Sequence, residues 1–351
     1  MTPTWQVITG DCLDVLPTLA DSSIDLILTD PPYYKVKGDW WDHQWDTAAG
    51  FLAWLDLVLA EFYRVLKPNG SLYLFASPKM AAGVEVLTGG RFNVLNHIVW
   101  NKEGSTRANQ ANKEGLRAFW GESERIIFAE HRGADGYAKG EAGYGAKCDE
   151  LRGFVFEPLR AYLAGERDRA GLTTRQIAEE YQRKTGSRTV TGMAGHWLEK
   201  VQWALPTAEN YQWLRETFSR LNHGGEYLRR EYEDLRREYE DLRREYEDLR
   251  RPFNVTADVP YTDVWTFPTV QFYPGKHPAE KPQPLLRHII SASSKPGAVI
   301  LDAFAGSGAT GIAAIDMGRQ FIGIDKDEHW AGHSRARIAN AAEQARQLEL
   351  L

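Results

Sequence analysis

The feature that most limits how this chain can fold is the run Ile24–Thr29 (IDLILT), apolar almost throughout and stopped by Asp30-Pro31-Pro32-Tyr33. A strand with no polar face is buried on both sides, which is the mark of a parallel sheet covered by helices. Two successive prolines remove two N–H donors and fix the backbone, so pairing cannot continue past them. The rest of residues 1–132 keeps the same rhythm. Trp5–Thr9, Ser71–Ala76, Val94–Trp100 and Arg125–Ala129 read as strands. Asp46 is placed to cap a helix reaching about Leu66, with Phe51, Leu55, Val58, Leu59, Phe62 and Leu66 on its apolar face. Lys67-Pro68-Asn69-Gly70 stops that helix. Alternating strands and helices predict a doubly wound α/β sheet.

After about Arg132 the rhythm breaks. Gly133–Gly145 reads as a glycine-rich loop, and residues 154–222 read as polar helices. RREYEDL then occurs three times in succession, ending at Leu249, and Pro252 closes the helix. From about Gly275 the α/β pattern returns, with strands at Ala298–Ala303 and Phe321–Asp325 and helices at Gly308–Met317 and His329–Leu348. The expectation is one α/β domain, 1–132 and 276–351, interrupted by a mainly helical insertion over 133–275. A heptad helix is expected over 226–251. Tyr232, Tyr239 and Tyr246 fall at a and Leu235, Leu242 and Leu249 at d. That seam suits a parallel two-stranded coil or a stripe packed on its own chain.

Composition narrows the class. Apolar residues are 43% and charged residues 26%, as in an ordinary folded protein. No apolar run approaches the ~18 residues that span a bilayer. The start, MTPTWQVITGDC, has neither the basic nor the apolar region of a secretory signal. Two cysteines, Cys12 and Cys148, exclude a disulfide framework and a four-cysteine zinc site. A cytoplasmic protein with no membrane and no metal is expected. The net charge of −6 is unevenly spread. The first hundred residues hold 6 basic against 11 acidic, whereas 151–225 hold 11 against 8. An acidic polymer would meet the middle of the chain.

Four short stretches carry chemistry. Asp30 stands at the carboxyl end of a buried strand, where ligands bind in open α/β sheets. Asp30 and the Pro31 carbonyl can accept both hydrogens of an exocyclic amino group, Pro32 stiffens the turn, and Tyr33 offers a face for stacking. A capped proline turn is the bland alternative. Asp302-Ala303-Phe304-Ala305-Gly306-Ser307-Gly308-Ala309-Thr310-Gly311 follows a strand and opens a helix, the setting of a cofactor turn. Its glycines formally match a dinucleotide fingerprint, and Asp325 ends the next strand where a ribose would lie, so a nicotinamide dehydrogenase stays open here. His277-Pro278-Ala279-Glu280-Lys281-Pro282 is a proline-bounded helix entry, and Gly10-Asp11-Cys12 a strand end before a helix cap.

The order of these stretches resembles the permuted, beta-class amino-methyltransferases of DNA. The resemblance covers about 1–132 and 276–351. It implies a Rossmann-like methyltransferase fold, S-adenosylmethionine as cofactor, double-stranded DNA as substrate and a homodimer. It implies that Asp30, Pro31, Pro32 and Tyr33 are catalytic. Asp302, Phe304, Gly306, Ser307, Gly308, Thr310 and Lys281 would hold the methionine end of the cofactor. Asp325 would hold the ribose, where many relatives have Glu, and Asp11 and Cys12 would lie beside the cofactor's adenine. Aspartate at position 30 resembles the adenine-N6 enzymes, serine there being commoner in the cytosine-N4 enzymes. Trp100-Asn101-Lys102 resembles the strand end lining the target-base pocket.

DNA contacts are expected from three places. Lys35 and Lys37 sit in Tyr34–Asp46 beside Trp40, Trp41 and Trp45, which form a lid or simply pack the loop down. Lys102 ends its strand. In the insertion, Gly171–Glu180, with Thr174 as cap, reads as the first helix of a helix-turn-helix, Gly186-Ser187 as the turn and Thr191–Glu199 as the second helix. Arg175, Arg188, Thr189, Thr191, His196 and Lys200 could reach bases or phosphates from it. A plain helical bundle is the alternative. The functional expectation is an adenine-N6 DNA methyltransferase, against a cytosine-N4 enzyme or a non-catalytic DNA-binding regulator.

Overall fold

The computed structural model describes residues 4–35, 40–102, 117, 119, 121–131, 155–188, 192–200, 203–249, 251–254 and 262–349. The chain divides into two compact units, Met1–Gly140 with Arg251–Leu351, and Glu141–Arg250.

The first unit is built on one sheet. Its strands are β1 (Trp5–Thr9), β2 (Ile24–Thr29), β3 (Leu66–Ala76), β4 (Phe92–Asn101), β5 (Ser123–His131), β6 (Val264–Thr266), β7 (Val299–Asp302) and β8 (Gln320–Asp325). They lie in the order β1-β8-β7-β2-β3-β5-β4-β6. The first five are parallel. β5 runs antiparallel to both β3 and β4, and β6 parallel to β4. The helices of this unit are α1 (Cys12–Val15), α2 (Ala48–Val65), α3 (Ala81–Arg91) and, after the second unit, α9 (Gln283–Ser293), α10 (Ala309–Asp316) and α11 (Glu328–Glu349). Successive residues of β2 feed opposite layers. Leu26 and Leu28 pack with Ile289, Ala313 and Ile338, whereas Ile27 packs with Leu55, Leu59 and Phe62. A strand buried on both faces explains why IDLILT has no polar side. This is a mostly parallel, doubly wound, Rossmann-like sheet.

The winding reverses between two neighbours. From β7 the chain passes through α10 to β8 on one side, and from β2 through α2 to β3 on the other. A crevice opens outside the carboxyl ends of strands at such a point. Thr29-Asp30 and Asp302 stand at that place. Two local expectations shift. Thr47, not Asp46, caps α2, its hydroxyl accepting from Gly50 N at 3.0 Å. Lys67–Gly70 lies inside β3 as an irregularity in its register with β2, not before the strand.

The second unit holds α4 (Glu157–Arg169), α5 (Thr174–Thr185), α6 (Met193–Leu198), α7 (Ala208–Leu221) and α8 (Tyr232–Leu249). They enclose a separate core that includes Leu159, Ile177, Trp197, Trp203, Leu214 and Phe218. Thr173, not Thr174, caps α5, in a reciprocal capping box with Gln176. The freed Thr174 hydroxyl bonds Glu199 at 2.5 Å. α6 is shorter than the expected second helix. The repeat forms α8, which starts at Tyr232 rather than 226. Leu235 is fully buried and Tyr246 nearly so, while Tyr232, Tyr239 and Leu242 pack against the same core. Tyr239 stacks on Phe156 at 5.2 Å between centroids. Over these positions the heptad seam packs on the core of its own chain, the second of the two expected arrangements.

The chain rejoins the sheet unit at Arg251, well before residue 276. Arg251 is buried, and its Nε donates to Glu130 Oε2 at 2.8 Å. The guanidinium lies 5.3 Å from the Phe128 ring and 5.4 Å from that of Phe253. β6 then extends the sheet beside β4.

Candidate active site

A cavity of about 600 Å³ opens at the reversal point, walled entirely by the first unit. The two strand ends beneath it are tied together. Thr29 Oγ1 donates to Asp302 Oδ1 at 2.8 Å and accepts from Ala303 N at 3.1 Å. Burial pushes the Asp302 carboxyl up to about 6, against the hydrogen bonds from Thr310, Thr29 and Phe304 N.

The glycine-rich turn follows. Phe304 N donates to Asp302 Oδ1 at 3.1 Å, and Gly306 N to Asp325 Oδ2 at 2.7 Å. Gly308, at φ 75°, starts α10. A Cβ there would lie 2.5 Å from Ser334 Oγ, so both conformation and space demand glycine. Ser307 and Thr310 are buried in the same wall. Phe304 packs beside Trp54 at 5.7 Å. The His277 ring lies against Gly306 and meets Trp330 edge-on at 4.4 Å. His277-Pro-Ala-Glu-Lys-Pro282 thus bridges the glycine turn and the Asp30–Tyr33 stretch.

At one end of the cavity stand Asp11, Cys12 and Asp325. Asp11 caps α1, accepting from Leu13 N at 3.0 Å, and pairs with Lys326 at 3.2 Å. The Cys12 thiol is buried, which drives its pKa up to about 12 and makes it a packing group. Asp325 also accepts from Asp327 N at 2.9 Å, and burial holds its carboxyl above the usual range.

At the other end stands Asp30. Its Oδ2 is bonded by Lys281 Nζ. Its Oδ1 is buried and has no hydrogen-bond partner. Burial raises the Asp30 pKa and Glu124 adds to that rise, while Lys281 and the nearby Tyr33 hydroxyl oppose it. Pro31 and Pro32 continue the wall. Tyr33 is held by its main-chain N on Asp42 Oδ1 at 2.7 Å and by its hydroxyl on Glu124 Oε2 at 3.1 Å. Lys281 Nζ lies 5.6 Å from the Tyr33 ring centroid.

Glu124 belongs to none of the sequence motifs. It bonds Lys102 through Oε1 and lies 3.4 Å from Lys281 through Oε2. Lys102, named among the expected DNA contacts and in the stretch resembling a base-pocket wall, is half-buried in this wall, 5.2 Å from the Trp100 ring. Trp100 is itself buried and lines the cavity.

The remaining expected DNA contacts are not gathered at the cavity. Lys35 is exposed and donates to the Asp46 carbonyl at 3.0 Å. Trp45 packs on Phe51 and Trp54, holding its loop down. Arg175, Arg188 and Lys200 are exposed on the second unit, Arg175 paired with Glu179 at 3.0 Å, and His196 is half-buried on α6. Lys37, Thr189 and Thr191 lie outside the described residues.

Solved structures share this fold. TTHA0409 of Thermus thermophilus, complexed with S-adenosyl-L-methionine, aligns with a TM-score of 0.50 at 19% identity, covering 97% of this chain and 95% of that one. The cytosine-N4-specific PvuII DNA methyltransferase aligns at 0.51 and 12%, covering 98% and 95%. In sequence, residues 24–334 match the family described as DNA methylase (N6_N4_Mtase), and the chain belongs to that family. It is 27% identical over 323 residues to the DNA adenine methyltransferase YhdJ of Escherichia coli K12, covering 91% of this chain and 77% of that protein. It is 23% identical over 362 residues to the type II methyltransferase M.HinfI of Haemophilus influenzae, covering 98% and 71%. Membership of a DNA methylase family excludes the dehydrogenase that the glycine turn alone left open. The chain is a DNA methyltransferase.

Proposed function

We propose that this enzyme moves the methyl group of S-adenosylmethionine to N6 of an adenine swung out of double-stranded DNA. Asp30 Oδ1 carries the reading: a buried carboxylate oxygen at the cavity wall that lacks a donor. Such an oxygen is unfavourable unless a ligand supplies the hydrogen bond. An exocyclic amino group supplies it, and the adjoining Pro31 carbonyl is an acceptor for the second hydrogen. Tyr33, fixed at both ends, offers the stacking face. The target amino group is unreachable within the duplex, so the base must leave the stack at a cost of a few kcal/mol.

The residues fit the methyl donor. S-adenosylmethionine brings a methyl group on a sulfonium cation, and Asp11, Asp302, Asp325 and Asp327 line the wall with carboxylates. Asp302, Phe304, Gly306, Ser307, Gly308, Thr310 and Lys281 would hold its methionine end, Asp325 its ribose, Asp11 and Cys12 its adenine. The chain's own part is to aim the amino nitrogen and to surround it with fixed charge. Once methylated, that nitrogen sheds a proton, for which Asp30 is the base at hand.

Adenine is favoured over cytosine by aspartate at position 30 and by the name of the Escherichia coli relative. We assign catalysis to the sheet unit and sequence recognition to the helical unit, with Arg175, Arg188, His196 and Lys200 as contacts, and we expect a cytoplasmic homodimer. Among the described residues no helix is long and apolar enough to cross a membrane. Mass spectrometry of nucleosides from treated DNA tests the reading. N6-methyladenine is expected; N4-methylcytosine would overturn the base assignment. Asp30→Ala should abolish methylation while leaving cofactor binding and thermal stability near wild type, and wild-type turnover in that variant would sink the mechanism.

A further inference from the structure

Glu124 opens β5, where the antiparallel register sets it opposite Trp100 of β4. Its side chain is only 14% exposed, yet it keeps its charge. Burial pushes its pKa up, but Lys281 and Lys102 outweigh that and hold it at about 2. Two carboxylates and two ammonium groups therefore balance in this wall: Asp30 and Glu124 against Lys102 and Lys281.

The balance has a shape. Lys281 spans the two carboxylates, bonding Asp30 Oδ2 on one side and approaching Glu124 Oε2 on the other. That leaves Asp30 Oδ1, buried beside the cavity, without a hydrogen-bond partner. The Tyr33 hydroxyl ends on the same Oε2. We infer that Glu124 is a positioning residue for methyl transfer, aiming Asp30 through Lys281 and fixing the tilt of the Tyr33 ring through its hydroxyl. It rests on the methyl-transfer reading but assigns Glu124 no contact with the reacting nitrogen. Without the Glu124 charge, Lys281 has Asp30 as its sole anionic anchor and is drawn over both oxygens, where it competes with the amino group.

The test uses the full chain, unmethylated duplex DNA of mixed sequence and S-adenosylmethionine labelled in its methyl group. Glu124→Gln keeps size and removes charge. Its kcat should fall ~10- to 100-fold, the scale of a small misplacement of reacting groups. Dissociation constants for cofactor and DNA should stay within about threefold of wild type, a small change beside such misplacement effects. The groups facing Asp30 are Lys281, Glu124, Tyr33 and, from β7, Asp302. With Glu124 neutral, Lys281 acts on Asp30 alone, so the acid limb of the rate profile should move to lower pH; a merely damaged fold would lower the rate without moving the limb. Tyr33→Phe removes a hydroxyl that faces both Glu124 and Asp30 but leaves the Glu124 charge on Lys281, so it should lose less than Glu124→Gln, and Glu124→Asp should recover part of the rate. Wild-type kcat in Glu124→Gln, a loss confined to cofactor or DNA affinity, or an unmoved acid limb would each overturn the role. Absence of methyl transfer by the wild type would instead overturn the parent reading, and this one with it.

Discussion

Leu235 decides what the tandem repeat is for. It is fully buried at the start of the α8 seam, in the core of the second unit. Leu235→Ala deletes three carbons. At ~0.8 kcal/mol per buried carbon the transfer loss is about 2.4 kcal/mol, and the cavity left behind brings it to about 3–4 kcal/mol. Leu242 is only half-buried against the same core, so Leu242→Ala should lose about half as much, ~1.5 kcal/mol. Urea unfolding followed by tryptophan fluorescence reads this directly, because Trp197, Trp203 and Trp213 lie in or against that core. If the seam packs on its own chain, the loss is independent of protein concentration and sedimentation of the folded variant is unchanged. A loss that grows on dilution, or equal losses at both leucines, would refute intramolecular packing and restore the coil between copies.

Other perturbations follow from the site. Gly308→Ala meets a positive φ and a close Ser334, so it should destabilise the sheet unit by about 2–4 kcal/mol and weaken cofactor binding, measured by denaturation and calorimetry. Asp302 has a folded-state pKa of about 6, above its unfolded value, so the penalty for burying its charge is absent at low pH and complete above that value. Relative to Asp302→Asn, the wild type should lose on the order of 2–3 kcal/mol of stability between pH 4 and 7; a flat difference would refute the assignment. Replacing Arg188 with Ala should weaken DNA binding and flatten log K against log salt by about one unit if it meets phosphate, and an unchanged slope and affinity would remove it from the interface.

What the sequence made legible was local. β2, the glycine turn and the His277–Pro282 stretch announce themselves because strand burial, a tight turn and proline punctuation are written in consecutive residues. Alternating strands and helices announce a doubly wound sheet, but the strand order that brings Asp30 and Asp302 together is not written in that alternation. Glu124 could not be read that way. Its role arises only when β5 turns antiparallel and sets it beside Lys102 and Lys281, residues far apart in the chain. In the sequence Glu124 stands just before the expected strand Arg125–Ala129, beside another charged residue, and nothing marks it out. The repeat was legible as an amphipathic helix, but periodicity names a face without naming what covers it. The return to the sheet unit was missed because Arg251 reads as a surface residue, whereas Glu130 and two aromatic rings bury it.

That arginine also fixes how the protein can change. Glu130 stands near the end of β5, the last strand before the helical unit, Arg251 is the residue at which the chain re-enters the sheet unit, and one ion pair joins the two. Closing a longer excursion between two anchored points adds only ~0.6 kcal/mol for each doubling of its length. The length of the excursion can therefore change at little cost in stability while the ion pair that closes it is kept.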